Sequence, residues 1–282
     1  MDLQDKIVVI SGGTSGIGRA AALMLAQRGA EVLVIGRDAA RGAETEAALK
    51  LASGGRGAFL QADLSLVSEG RRLVADLLAR VPRIDALLLC AGVLDFEPTK
   101  TTEGLDKMFV TNFLHKLVLA EGLAALLAKG PGRLVLVAAV PQDSAAIDWT
   151  NFEGAREYAG MGALPRLHLL SLTVLQSLAD DLKAAGIQVT AMNPGLSDTG
   201  IFRSATGFWR FGQYLLRPFY VPVETPAVLL CWLAFAPEAN AFSGHYFPSV
   251  KNNGKHHPFR RDGATLQRVL KTARTLLAGG SR

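Results

Sequence analysis

The stretch Ser11-Gly12-Gly13-Thr14-Ser15-Gly16-Ile17-Gly18 follows an apolar run and opens a segment of helical periodicity. Glycines at 12, 16 and 18 let the backbone turn tightly and approach a pyrophosphate, whose charge then rests on the free N–H groups of a helix N-terminus. Any tight strand-to-helix turn uses glycine. Here the strand before it, the helix after it and a second strand ending about 20 residues on favour a nucleotide cradle, with Thr14, Ser15 and Ile17 between the glycines. Gly36 and Arg37 close that second strand, where ribose hydroxyls would require an acid. A glycine leaves room for a phosphate and an arginine offers it a fork of donors, so NADP(H) is the expected nucleotide. The plain alternative is a solvated arginine at a loop edge.

These residues need a frame, and the hydropathy pattern supplies one. Short apolar runs at Lys6–Ile10, Glu31–Ile35, Gly57–Gln61, Asp85–Leu89, Arg133–Ala138 and Ile187–Ala191 alternate with longer helical patterns, and a last strand is expected near His245–Phe247. Such alternation predicts a parallel sheet of about seven strands built from βαβ units. Helices are expected over Gly16–Arg28, Asp38–Leu51, Ser65–Arg80, Thr101–Ala128, Pro165–Ala185, Glu224–Ala236 and Ala264–Leu277. At 282 residues and 49% apolar composition the chain suits a single α/β domain spanning residues 1–282, with a tail from 251.

Composition narrows the function classes. The net charge of +5 is scattered and no nucleic-acid reading module is visible, so no nucleic-acid partner is expected. Cys90 and Cys231 lie far apart without metal-ligand spacing, which fits a reducing, cytoplasmic setting and no metal site. No signal peptide is expected from the N-terminal residues, and the longest apolar stretch, Ala227 to Ala236, is too short to span a bilayer.

The spacing Gly12-x-x-x-Gly16-x-Gly18, with Asp63-Leu64 after the third strand, Ala91-Gly92 after the fourth and Asn193-Pro194-Gly195 after the sixth, resembles the short-chain dehydrogenase/reductase family. Pro194-Gly-Leu-Ser-Asp-Thr199 and Ser243-Gly-His-Tyr-Phe247 are similar to its retinol dehydrogenase-like branch. The likeness runs from Lys6 to about Val250 and implies a Rossmann-type, doubly wound fold. It also implies that Asp63 meets the adenine, Pro194-Gly195 the nicotinamide amide and Thr199 its carboxamide.

The same resemblance implies a serine, a tyrosine and a lysine that handle the substrate proton, and there the pattern breaks. Placed from Gly186 and Pro194-Gly195 backwards, and from Ile147-Asp148 forwards, those positions fall on Ala139, Leu164 and His168. Asn112 alone keeps the family identity. Neither alanine nor leucine can exchange a proton, and a positioned acid–base group is worth about 10²–10⁴ in rate. Two residues are candidates to substitute. Tyr158 lacks a lysine four residues on and reads rather as a packed loop tyrosine. His168, near a helix N-terminus that favours its neutral form, reads as a base, a donor or a structural ring. Asn112 reads as a relay group or as a buried amide satisfying a distorted helix. Asp143, Ser144, Asp148, Glu153 and His115 are expected to be loop or structural residues rather than catalysts.

From Ile201 to Val223 the chain carries Phe202, Phe208, Trp209, Phe211, Tyr214, Phe219 and Tyr220, which predicts a greasy lid over a bulky lipophilic substrate. A homo-oligomer surface or a membrane-surface patch would use the same residues. Three functions stay open. They are a repurposed enzyme performing cyclisation, isomerisation or dehydration, an NADP-dependent oxidoreductase with atypical groups, and a silent binding or scaffold homologue.

Overall fold

Every residue of Ile7–Ser11 (β1) is buried, as a strand covered on both faces requires. A computed structural model describes residues 2–130, 132–139, 147–154, 162–197, 220–250, 255–259 and 262–279. Around β1 stand Glu31–Gly36 (β2), Ala58–Gln61 (β3), Ala86–Leu89 (β4), Arg133–Val137 (β5), Gln188–Met192 (β6), His245–Phe247 (β7) and His257–Pro258 (β8). The sheet order is β3-β2-β1-β4-β5-β6-β7-β8. The first seven strands are parallel, as the alternating pattern predicts, and β8 adds a two-residue antiparallel edge that no periodicity could announce. Winding reverses between β1 and β4, so their carboxyl ends open a crevice at the switch point.

Alternate strand residues point to opposite faces and build two cores. On one face Val8, Ile10, Val32 and Leu88 pack against Gly16–Ala26 (α1) and Glu224–Phe235. On the other, Val9, Leu33, Leu87 and Leu134 pack against Val67–Arg80 and Ala163–Lys183, with Gly263–Gly279 closing that layer. In chain order the helices are α1, α2 (Ala39–Ser53), α3 (Val67–Arg80), α4 (Lys107–Phe109), α5 (His115–Gly122), α6 (Ala124–Leu127), α7 (Ala163–Lys183), α8 (Glu224–Phe235) and α9 (Gly263–Gly279). Among the described residues no helix is long and apolar enough to cross a membrane.

One expected helix, Thr101–Ala128, is corrected. Thr101 to Leu105 form a turn instead, and helix begins only where Asp106 accepts a hydrogen bond from the N–H of Phe109 at 2.8 Å. A π-turn over Val110–Leu114 follows, joining α4 to α5. The Asn112 side chain causes the widening, because its Nδ2 donates to the carbonyl of Met108 at 3.0 Å and competes with the regular helix bond. A second break falls at Leu123, beside Gly122, where an added Cβ would lie 2.7 Å from Val74 of α3. Replacing Asp106 with alanine removes the cap and should lower stability by about 0.5–2 kcal/mol, read as a shift in urea midpoint at unchanged slope.

Candidate functional site

The carboxyl ends of β1, β2, β4 and β5 open into a cavity of about 460 Å³. At its nucleotide end, Gly12, Thr14, Ser15, Ile17 and Gly18 form one wall, with Arg37, Asp63 and Leu64 beyond and Ala91 and Gly92 opposite. Gly16 lies in the same turn but does not line the cavity. Gly12 has φ +71°, and a Cβ there would stand 2.8 Å from the Ala91 backbone, so glycine lets the β1 and β4 ends approach each other. A Cβ on Gly36 would stand 2.6 Å from Thr14 Oγ1. Glycine at these two positions thus draws the strand ends together around the cavity, at the switch point where a dinucleotide would sit.

Arg37 is exposed at the far end and, among the described residues, forms no ion pair. Its neighbour Arg41, which the sequence reading missed, is paired with Asp38 at 2.7 Å and holds that carboxyl below its ordinary range. Asp63 accepts the Ser65 N–H at 3.0 Å and so fixes the turn after β3. Asn193 likewise shapes Pro194-Gly195, accepting the Gly195 N–H at 2.9 Å while its amide donates to Pro248 at 2.9 Å. Pro194 and Gly195 line the cavity. Thr199 and Tyr158 lie outside the described residues, as do Asp143, Ser144 and residues 201–219 of the expected 201–223 lid. The described ends flanking that segment meet, since Ser197 is bridged to Val221 and the Val221 N–H donates to Leu196 at 2.8 Å.

At the opposite end Ala139, Leu164 and His168 line the same cavity with Asn112. Tyr246 of β7 donates its hydroxyl to the carbonyls of Ala138 and Ala139, each at 3.3 Å, which fixes the chain leaving β5. α7 begins at Ala163 after Gly162, so His168 sits in its second turn. Burial first, and the Lys116 charge second, push the His168 imidazole down to about 3, so it is neutral at physiological pH. The helix N-terminus, expected to favour the neutral ring, is not the main cause. Asn112 is fully engaged. Its Oδ1 accepts the Val93 N–H at 3.1 Å, and its Nδ2 donates to Val93 at 2.8 Å as well as to Met108. Its own carbonyl accepts the Ser171 hydroxyl at 3.0 Å. This amide ties the loop after β4 to the π-turn.

The sequence reading also missed Lys116, Cys90 and Thr111, which line the cavity beside these residues. Lys116 is buried on α5, and its Nζ donates to the carbonyl of Val137 at 2.9 Å. Burial lowers its pKa to about 8. Cys90 is half-buried as a residue, and desolvation pushes its thiol up to about 12. Lys116 carried no signal of its own, lying next to His115 in a helical stretch. His115, buried and held neutral at about 3 mainly by desolvation, is not among the cavity-lining residues. Asp148 caps a short turn by accepting from Thr150 and Asn151, in a hydrogen-bonding role within its own loop.

Known proteins resemble this chain in sequence and in fold. A family model described as short chain dehydrogenase matches residues 6–156. Retinol dehydrogenase 14 of Mus musculus is 29% identical over 269 residues, covering 88% of this chain and 79% of its own length. Polyprenol dehydrogenase of Mus musculus is 31% identical over 252 residues, covering 86% of this chain and 75% of its own length. Among solved structures, a doubly substituted short-chain dehydrogenase/reductase from Serratia marcescens matches with a TM-score of 0.70 at 23% identity, over 88% of this chain and 97% of that one.

Proposed function

Because the chain belongs to the short chain dehydrogenase family, we propose that its cavity holds NADP(H) and a bulky lipophilic molecule, and converts that molecule without net oxidation or reduction. Cyclisation, isomerisation and dehydration are the reaction types in view. The observation that carries this reading is the substrate-end wall. Where the family resemblance assigns a hydroxyl, a phenol and an ammonium, Ala139, Leu164 and His168 present a methyl, an isobutyl group and a neutral ring. Two of the three have no exchangeable proton, so orientation and a few polar groups must do the work. Gly12, Gly18, Asp63, Ala91, Gly92, Pro194 and Gly195 would hold the nucleotide, and Thr199 its carboxamide. When bound, a nicotinamide supplies hydride exchange with a carbon placed against it. A lipophilic ligand is supported by the aromatic composition of 201–223 and by relatives named for retinol and polyprenol.

The test is incubation with NADPH and a panel of retinoids, polyprenols and lipophilic ketones, following nicotinamide absorbance and product mass together. A product of unchanged or dehydrated mass, with constant absorbance, is expected. Stoichiometric loss of NADPH absorbance would overturn the reading in favour of an NADP-dependent oxidoreductase with atypical groups. That second reading is favoured by one observation, the ammonium of Lys116 at the substrate end.

Nucleotide choice has its own test. Arg37→Ala should weaken NADPH binding about tenfold while leaving NADH unchanged, the worth of one charge-assisted contact to a phosphate. Equal losses for both nucleotides in fluorescence titrations would remove Arg37 from phosphate recognition.

A further inference from the structure

We propose that Lys116, reaching in from α5, supplies the ammonium that this cavity presents to an oxygen of its ligand, in place of a cation at position 168. The proposal rests on the reading that the cavity binds a nucleotide and a second molecule.

Only 4% of Lys116 is exposed, and no carboxylate lies within ion-pair distance of it among the described residues. Its Nζ carries three N–H donors, and the Val137 carbonyl accepts one at 2.9 Å. A buried cation with so little compensation is unfavourable unless another acceptor reaches it. Lys116 lines the cavity together with Cys90, Ala139, Leu164 and His168, and Val137 takes only one of its three donors. An oxygen placed there would accept from the remaining donors. The surrounding apolar atoms would make that contact stronger than it would be in water.

A purely structural lysine, present to cap the Val137 carbonyl, would gain nothing from lining a ligand cavity. Among the described residues, the groups with shifted titration near Lys116 leave it the one that changes charge near neutral pH. Cys90, at the end of β4, stays protonated up to about 12. His168 on α7 and His115 on α5 stay neutral down to about 3. Lys116 itself, driven by burial, loses its proton through about 8.

Two ligand oxygens share the required chemistry: a ribose hydroxyl of the nucleotide and a carbonyl of the second molecule. The experiment measures affinity by fluorescence in the wild type, Lys116→Met and Lys116→Arg, from about pH 7 to about pH 9.5, a window that spans the Lys116 titration. The probes are NADPH alone, then β-ionone and its alcohol β-ionol with NADP⁺ present. If the nucleotide supplies the oxygen, wild-type NADPH affinity falls about tenfold across the window. Lys116→Met is then weak and flat, and Lys116→Arg is tight and flat. If the second molecule supplies it, NADPH binding is indifferent, while β-ionone and β-ionol, whose oxygens both accept, show that pattern instead.

The proposal is overturned if bound NADPH and β-ionone both ignore pH and substitution in variants with wild-type circular dichroism. It is also overturned if neither probe binds. Should Lys116→Met not fold, the wild-type profile against Lys116→Arg decides. Absence of NADPH binding in the wild type defeats the functional reading instead, and leaves β-ionone to judge Lys116 by itself.

Discussion

A variant combining Ala139→Ser, Leu164→Tyr, His168→Lys and Lys116→Met is expected to raise NADPH-dependent reduction of lipophilic ketones by roughly 10²–10⁴-fold over the wild type. The first three changes restore a hydroxyl pair and a cation to positions that line one cavity. The fourth follows from the electrostatics, because the charge of Lys116 already acts on position 168. A second ammonium on α7 beside the first would hold one of the two neutral and spoil the phenol it should activate. The three-site variant that keeps Lys116 should therefore gain less than the four-site one. Such gains do not multiply, since the groups act as a unit. The measurement is nicotinamide absorbance over a ketone panel. A four-site variant that folds and binds NADPH but stays inactive would show that Leu164 does not occupy the proton donor's place.

Lowering the pH from about 6.5 to about 5 is expected to remove on the order of 2 kcal/mol of folding stability for each of two buried imidazoles. His115 and His168 are both pushed down to about 3, burial being the larger cause in each. In the unfolded chain each takes a proton near its ordinary value of 6.5. Between those values the unfolded state binds more protons, so stability is full above the unfolded value and declines as the pH falls. Together the two rings put at risk about 4 kcal/mol of a total that is about 5–15 for most domains. Lys116 acts in another window with the same sign, because its folded value lies below the unfolded one and stability rises with pH from about 8. Urea midpoints at several pH values check this, with His115→Gln expected to take away about half of the acid slope. Equal midpoints at neutral and mildly acidic pH would contradict the burial of both rings.

Strand positions were legible in the sequence because a strand buried on both faces must be a near-continuous apolar run, and β1, β2 and β4 are such runs. Edges moved by a residue or two, as from Lys6–Ile10 to Ile7–Ser11, since the run says where burial occurs and not where ladder bonds stop. The long helix expected after Thr101 was misjudged because its apolar spacing continues through features set by tertiary contacts. The Asn112 side chain and the close approach of Gly122 to Val74 make those breaks. At the site, glycines were readable because backbone demands exclude other residues, as at Gly12. Lys116 was not, because a lysine within a helix ordinarily marks the solvent side, and only the packing of α5 against the sheet and α7 turns it inward.

Both margins of the sheet are short. On one side stands the four-residue β3, and on the other the two-residue β8, whose Pro258 has no N–H to offer. A flat, unsatisfied margin invites another chain to add a strand, and brevity and proline are standard defences against that. Copies of this protein are therefore poor templates for continuous cross-molecular sheets. Association between copies is therefore expected to run through side chains on helices and loops, a route open to tuning by single surface substitutions.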